Sequence, residues 1–373
     1  MSAARSPSPE PEPDVSALPD SRSTVRPSLG RAPLVAVLGL VLAACTGATT
    51  PRPTIPPDAT GSLLPATTAT VPPTGSPAPA FPVSLTDDEG TTVALQKEPQ
   101  KIVSLTPAET EVLFAIGAGD RVVGKVEDTA KFPPEADSVP VVGTFSGVDV
   151  EKIVGLGTDL VIAGGSGGTQ PEAIQKLRSL KIPVLVVYAP DVTSVYQDIE
   201  LTGDAVGKSE AADALVVRIQ ADFDAVAAAT AGVSKPRVFY ETGDQPSIYG
   251  IADDSVYAQM IGLAGGTPIT TGSATNWEMP TEKLITADPQ LIILGDSAYG
   301  VTADAVAKRA GWAGMTAVKN GAIVPIDDIP VTRPGPRLGD GLRLLVAAIH
   351  PELHLAVPSG APAENPSQNP YGG

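Results

Sequence analysis

Residues 151–163 read EKIVGLGTDLVIA, and residues 282–294 read EKLITADPQLIIL. The two segments align without a gap at an offset of 282 − 151 = 131 residues. Glu, Lys, Leu and Ile coincide, and apolar residues oppose apolar residues at further positions. Each segment begins as a short acid-led helix and ends in an apolar run of strand length. A period this long exceeds the roughly 20–50 residues of a solenoid repeat. It has the size of a domain, so two lobes of like build are expected.

The flanking sequence carries one order in both halves. After a hairpin signal at Asp88-Glu89-Gly90, KIVSL (101–105) reads as a strand. Thr106 and Pro107 then cap and open a helix that Gly117 and Gly119 stop. RVVGKV, the 151–163 unit, a loop GGSGG, a helix from about Gln170 to Leu180 and the strand PVLVVY follow. The second half runs PRVFYE, the Gly-stopped DDSVYAQMIGLAGG, the 282–294 unit, the loop GDSAYG, the helix TADAVAKRAG and the strand AIVPI. It closes with the amphipathic RLGDGLRLLVAAIH. Between the halves, about 192–231 show only helical periodicity.

Strands that are continuous apolar runs, alternating with helices, indicate parallel sheets covered on both faces. The expected fold is α/β: two lobes with parallel-rich central sheets flanked by helices, joined by one long bridging helix. The expected boundaries are 81–191 for the first lobe, 192–232 for the bridging helical segment and 233–356 for the second lobe. Residues 357–373 read as an unfolded tail.

The ends and the composition narrow the function. Residues 1–21 are rich in Pro, Ser and Glu, and Arg22, Arg26 and Arg31 precede an uncharged run from Ala32 to Ala44. That run is shorter than the ~20 apolar residues a bilayer span needs, but it suits a signal-peptide core. It ends Leu42-Ala43-Ala44-Cys45, which resembles a bacterial lipobox, with Cys45 as the lipidated residue. Residues 46–80, rich in Thr and Pro, read as an extended tether. The expected location is the outer face of the cytoplasmic membrane, anchored through Cys45. A net charge of −17 argues against nucleic-acid partners. One cysteine and two histidines argue against a Cys- or His-based metal site, and no cofactor is expected.

With the order of elements in place, the sequence resembles a known family. KIVSLTPAETEVLFAIGAGDRVVG, FPPEADSVPVVGTFSGVDVEKIVGLGTDLVIA, GLAGG, EKLITADPQLIIL and RPGPRLGDGLRLLVAAIHPE are similar, in that order, to blocks of the substrate-binding proteins of ABC importers for cobalamin, ferric siderophores and haem. The resemblance covers about residues 82–352. It implies a monomer of two lobes around a rigid bridging helix, with a ligand in the cleft and a permease dimer as partner. It also implies that Glu151 and Glu282, one per lobe, dock against permease arginines. A carboxylate in the first turn of a helix is well placed for bidentate Arg pairing.

Ligands of open α/β sheets sit at the carboxyl ends of the strands. That rule, with the resemblance, gives the candidate walls Thr106, Glu127, Asp128, Phe145, Gly165, Ser166, Tyr240, Tyr249, Trp277, Asp296, Tyr299 and Arg333. Phe145 and Trp277 precede the repeat glutamates by six and five residues and form a candidate aromatic clamp for a flat macrocycle. The alternative for either ring is a core role. Arg333 reads as a cleft residue or as the partner of an acid such as Asp327. The ligand favoured is cobalamin or another corrinoid, then a ferric siderophore, then haem. A competing enzyme reading takes 164–168 as G-x-S-x-G, with Ser166 as nucleophile and Asp296 and His350 behind it. No strained elbow or oxyanion-hole segment accompanies it.

Overall fold

The structure, a computed structural model, describes residues 81–144, 146–165 and 168–356. The expectations for the signal, Cys45, the tether, Phe145, Ser166 and the tail lie outside these residues.

A small antiparallel hairpin, β1 (Val83–Thr86) and β2 (Thr92–Leu95), leads into the first lobe. The first lobe's sheet comprises β3 (Ile102–Ser104), β4 (Val122–Val126), β5 (Val141–Thr144), β6 (Gly147–Val148), β7 (Leu160–Gly164) and β8 (Val184–Val187), in the order β6-β5-β4-β3-β7-β8. Only the β5–β6 pair is antiparallel. The second sheet is wholly parallel. It holds β9 (Arg237–Glu241), β10 (Thr267–Pro268), β11 (Leu291–Leu294) and β12 (Ile323–Pro325) in the order β10-β9-β11-β12. The orders β4-β3-β7-β8 and β10-β9-β11-β12 are the same topology.

Helices α1 (Pro107–Ala115), α2 (Val150–Gly155) and α3 (Pro171–Ser179) belong to the first lobe. Helices α4 (Val192–Ala205) and α5 (Ser209–Ala229) form the link. The second lobe carries α6 (Val256–Leu263), α7 (Thr281–Ala287), α8 (Ala303–Ala307), α9 (Thr316–Lys319), α10 (Ile329–Thr332) and α11 (Leu338–Ile349). Caps set the starts: Thr106 Oγ1 accepts from Glu109 N at 3.1 Å, and Asp149, Asp191, Ser255 and Thr302 cap α2, α4, α6 and α8.

The repeat persists into the packing. The helix of the repeated unit starts at 150 and 281 and its strand at 160 and 291, so both recur at the 131-residue offset. Leu160 and Ile162, like Leu291 and Ile293, face a shared core, whereas Val161 and Ala163 face an outer core of their lobe, as do Ile292 and Leu294. Ile153 and its counterpart Leu284 are both fully buried in those outer cores. The period-2 alternation of a strand buried on both faces accounts for this.

The shared core explains the link. One apolar cluster runs from Ile102, Leu160 and Leu185 of the first sheet, through Val195 and Ile199 of α4 and Ile219 and Phe223 of α5, to Val238, Leu291 and Leu342 of the second lobe. The link is a hairpin of two helices, the longer being the 21-residue α5. The two helices approach closely at Gly203, where a Cβ would stand 2.4 Å from that of Ala212.

Candidate functional site

In an open α/β sheet the ligand crevice opens where strand order reverses, at the carboxyl ends. Here the reversal falls at β3, flanked by β4 and β7, and at β9, flanked by β10 and β11. Segments following these strands, and following β8 and β12, are the candidate walls of a cleft.

On the first lobe, Gly165 directly follows β7 and is buried. A Cβ there would lie 3.1 Å from Cβ of Tyr188, so the glycine lets that tyrosine pack close to the end of β7. Tyr188, the residue after β8, is 58% exposed. On the second lobe, Trp277 is 36% exposed and meets Tyr257 edge-on, with centroids 5.6 Å apart. Gly250 N donates to the Trp277 carbonyl at 2.9 Å, and Tyr249 N donates to the Gly243 carbonyl at 2.7 Å, which places half-buried Tyr249 beside Trp277. The Tyr257 hydroxyl donates to the Thr332 carbonyl at 3.0 Å. Burial raises its pKa first, then the fields of Asp328 and of Tyr188, so the phenols of the two lobes lie within electrostatic reach of each other.

Between the lobes lies an ionic cluster. Arg333 Nη1 donates to Glu111 Oε1 at 3.1 Å and to Asp128 Oδ2 at 3.0 Å, and Nη2 donates to Asp128 Oδ1 at 2.5 Å. Arg337 donates from Nε to Glu111 Oε2 at 2.9 Å and from Nη2 to Glu111 Oε1 at 2.7 Å. Its guanidinium stacks 3.8 Å above the Phe132 ring. Burial opposes the charge on Arg333, but the hydrogen bond and field of Asp128, with Glu111 behind them, hold its pKa above the ordinary value. The sequence left Arg333 as a cleft residue or as the partner of an acid such as Asp327. It does pair with acids, but with Asp128 and Glu111 of the first lobe, while Asp327 accepts from Ile329 N at 3.2 Å.

Two acid clusters stand behind the walls. Asp88, at the β1–β2 tip, accepts from Tyr188 N and also meets the Asp198 carboxyl of α4 in a contact that needs a shared proton. Burial, then the charges of Asp88 and Glu109, push Asp198 up to about 9. Glu109 is pushed up to about 7 by burial, even though it accepts from Thr202 Oγ1 at 2.9 Å. In the second lobe, Glu241 at the end of β9 is held by Arg309 at 2.6 and 2.8 Å, and Arg309 also reaches Asp244 at 3.0 Å. Asp296 faces Glu241 with neither oxygen receiving a donor, so the contact again works through a proton. Burial, then Glu241, push Asp296 up to about 8.

The remaining sequence-derived residues fall as follows. Thr106 is a helix cap at the cleft end of β3. Tyr240 is fully buried and donates to Asp328 at 2.6 Å, bracing the second lobe from within. Glu127 is exposed, and Tyr299 lies half-buried in the turn after β11. Glu151 and Glu282 are exposed second residues of α2 and α7. The sequence reading missed Tyr188, Glu111, Phe132, Tyr257 and Arg337. Tyr188 was within reach of the strand-end rule, because it ends the apolar run PVLVVY.

The enzyme reading fails. His350 is buried, with Nδ1 2.9 Å from Glu352 and Nε2 3.1 Å from the Gly265 carbonyl, so both ring nitrogens already have partners.

Two α/β lobes of like topology, joined by a helical hairpin and by an ionic cluster between them, have the build of a solute-binding protein. A family model described as periplasmic binding protein matches residues 102–330. The uncharacterized ABC transporter substrate-binding lipoprotein YvrC of Bacillus subtilis is 36% identical over 278 residues, 73% of this chain and 87% of that protein. The cobalamin-binding protein of Halobacterium salinarum is 28% identical over 282 residues, 73% of this chain and 75% of that one. The periplasmic haem-binding protein RhuT from Roseiflexus sp. RS-1, solved in apo form, superposes with a TM-score of 0.61 at 25% identity, covering 68% of this chain and 99% of RhuT. The chain belongs to the periplasmic binding protein family. It is the substrate-binding component of an ABC importer and not an enzyme.

Proposed function

We propose that this protein captures a metal-bearing macrocycle or chelate in the inter-lobe cleft and delivers it to its permease, with cobalamin or another corrinoid as the favoured ligand. The observation that carries this reading is the charge balance of the cleft. Arg333 and Arg337 are both taken up by the carboxylates of Glu111 and Asp128, while Tyr188 and Trp277 present exposed rings. Such walls suit a large ligand held by shape and stacking, one that brings its own metal ligands. The 28% identity to a cobalamin-binding protein, over three quarters of its length, supports the same choice. A ferric hydroxamate, which also lacks strong negative charge, is the second candidate. Haem comes third, since its two propionates would seek cations.

Glu151 and Glu282 are read as the permease-docking pair, because both are exposed at equivalent first-turn positions. Cys45 is read as the lipid anchor and residues 46–80 as the tether. The test is a parallel titration with cyanocobalamin, a ferric hydroxamate and hemin, followed by absorption and by Trp fluorescence in wild type and Trp277→Phe. Saturable binding of the corrinoid, with quenching reduced in the variant, is expected. Binding of hemin alone would refute the corrinoid reading.

A further inference from the structure

Resting on the reading that the cleft takes a ligand, we infer that Glu111 and Asp128 are specificity determinants: by holding Arg333 and Arg337 they close the cleft to anionic ligands. An arginine at the carboxyl ends of the strands is by itself an attractor for polyanions, because its planar fork matches carboxylate and catecholate oxygens. Here all five N–H···O bonds of the cluster run to the two acids. The acid side chains are only 1% and 4% exposed, and the arginines 13% each. Two positive and two negative groups leave no net charge to offer.

An incoming anion would have to displace a buried carboxylate, which would then face it at close range without compensation. Phe132 covers one face of the Arg337 guanidinium and removes a second line of approach. The acids sit on the first lobe and the arginines on the second, so the neutralisation exists only where the lobes meet, which is where the ligand must pass. Selection is then by shape among neutral ligands, with anions rejected by the paired cluster.

The test compares affinities for neutral cyanocobalamin and for a ferric tris-catecholate trianion in wild type, Asp128→Asn and Glu111→Gln. Each substitution keeps the side-chain volume and frees one arginine charge. Expected is a shift of the affinity ratio toward the trianion by about tenfold or more, equivalent to one charge-assisted pair. That gain should fade between about 50 and 500 mM salt, which a merely structural effect would not do. An unchanged ratio in folded variants, or a wild type that takes the trianion as tightly as the corrinoid, overturns the inference. If the variants do not fold, wild type is titrated with cyanocobalamin and its monocarboxylate, which share a shape and differ by one charge. Weaker binding of the carboxylate by about tenfold supports the filter, and equal or tighter binding overturns it. Should wild type ignore cyanocobalamin altogether, the corrinoid reading falls on its own. Trianion binding confined to the variants would still uphold the filter, and its absence from them would overturn it.

Discussion

Asp198→Asn should make the protein more stable at alkaline pH, and by an amount that grows with pH. Asp198 is nearly buried in α4 against Asp88, with Glu109 close by, and its folded pKa is about 9 against the ordinary value of 3.8. Above about pH 4 the unfolded chain has released this proton while the folded chain keeps it. Raising the pH therefore favours unfolding, at about 1.4 kcal/mol per pH unit for full coupling, until the folded pKa is passed. From pH 5 to pH 8 that is about 4 kcal/mol at most, and hydration of the ionised pair trims it to about 2–4 kcal/mol. Asparagine donates to Asp88 at every pH and has no proton to lose. Urea and thermal melts at pH 5, 6, 7 and 8 should show an advantage for the variant that is smallest at pH 5 and widens at each step above it. At pH 8 this corresponds to roughly 5–12 °C in Tm. Wild-type and variant curves running parallel across this range would refute the reasoning, because the proton would then not be held at Asp198.

Asp296→Asn should act in the same direction over a narrower window, since its folded pKa is about 8; its melts should diverge from wild type up to that pH and not beyond. Arg309→Ala should destabilise by about 3–5 kcal/mol in denaturant titration, because it strands the fully buried Glu241. Gly203→Ala places a methyl 2.4 Å from Cβ of Ala212 and should cost about 1–3 kcal/mol by forcing α4 from α5, visible as a lower urea midpoint. Glu151→Ala combined with Glu282→Ala should leave Tm within about 2 °C of wild type, as exposed substitutions do, while uptake measured in cells falls.

Much of the fold was legible because its signals are local. The strand at 160–164 announces itself by an unbroken apolar run, and Thr106 and Asp149 sit where a cap must. The 131-residue repeat carried the two-lobe architecture without reference to any contact. The short strands β5, β6 and β10 were not legible: they hold four, two and two residues, and Val141–Thr144 includes a glycine that weakens the pattern. The ionic cluster was half legible. Asp128 and Arg333 were picked out singly, but their partnership spans 205 residues, and that of Glu111 with Arg333 spans 222. Pairing at such separations is decided by how the lobes meet, which no local window contains. Two acids two residues apart in the apolar α1, Glu109 and Glu111, were the trace left in the sequence: both are buried, so each needs its own interior partner.

The shared core bears on how the cleft works. A hinge that opened the lobes widely would have to shear the layer in which Val195, Ile199, Ile219 and Phe223 of the helical hairpin meet Val238, Leu338 and Leu342. These side chains are each at least nine-tenths buried, and exposing one costs about 1.5–3 kcal/mol. Exposing even three would approach the stability of an ordinary domain. The ion pairs at the cleft add to this, because separating Arg333 from Asp128 and Glu111 leaves buried charge uncompensated. Tyr188, after β8, is exposed and lies outside the shared layer, whereas the 243–278 segment that carries Trp277 is tied into it through Ile251, Val256, Met260 and Ile261. On the proposed reading of the cleft, the frame between the lobes is stiff, and selectivity follows from what it fixes in advance: the charge balance of Arg333 and Arg337 with Asp128 and Glu111.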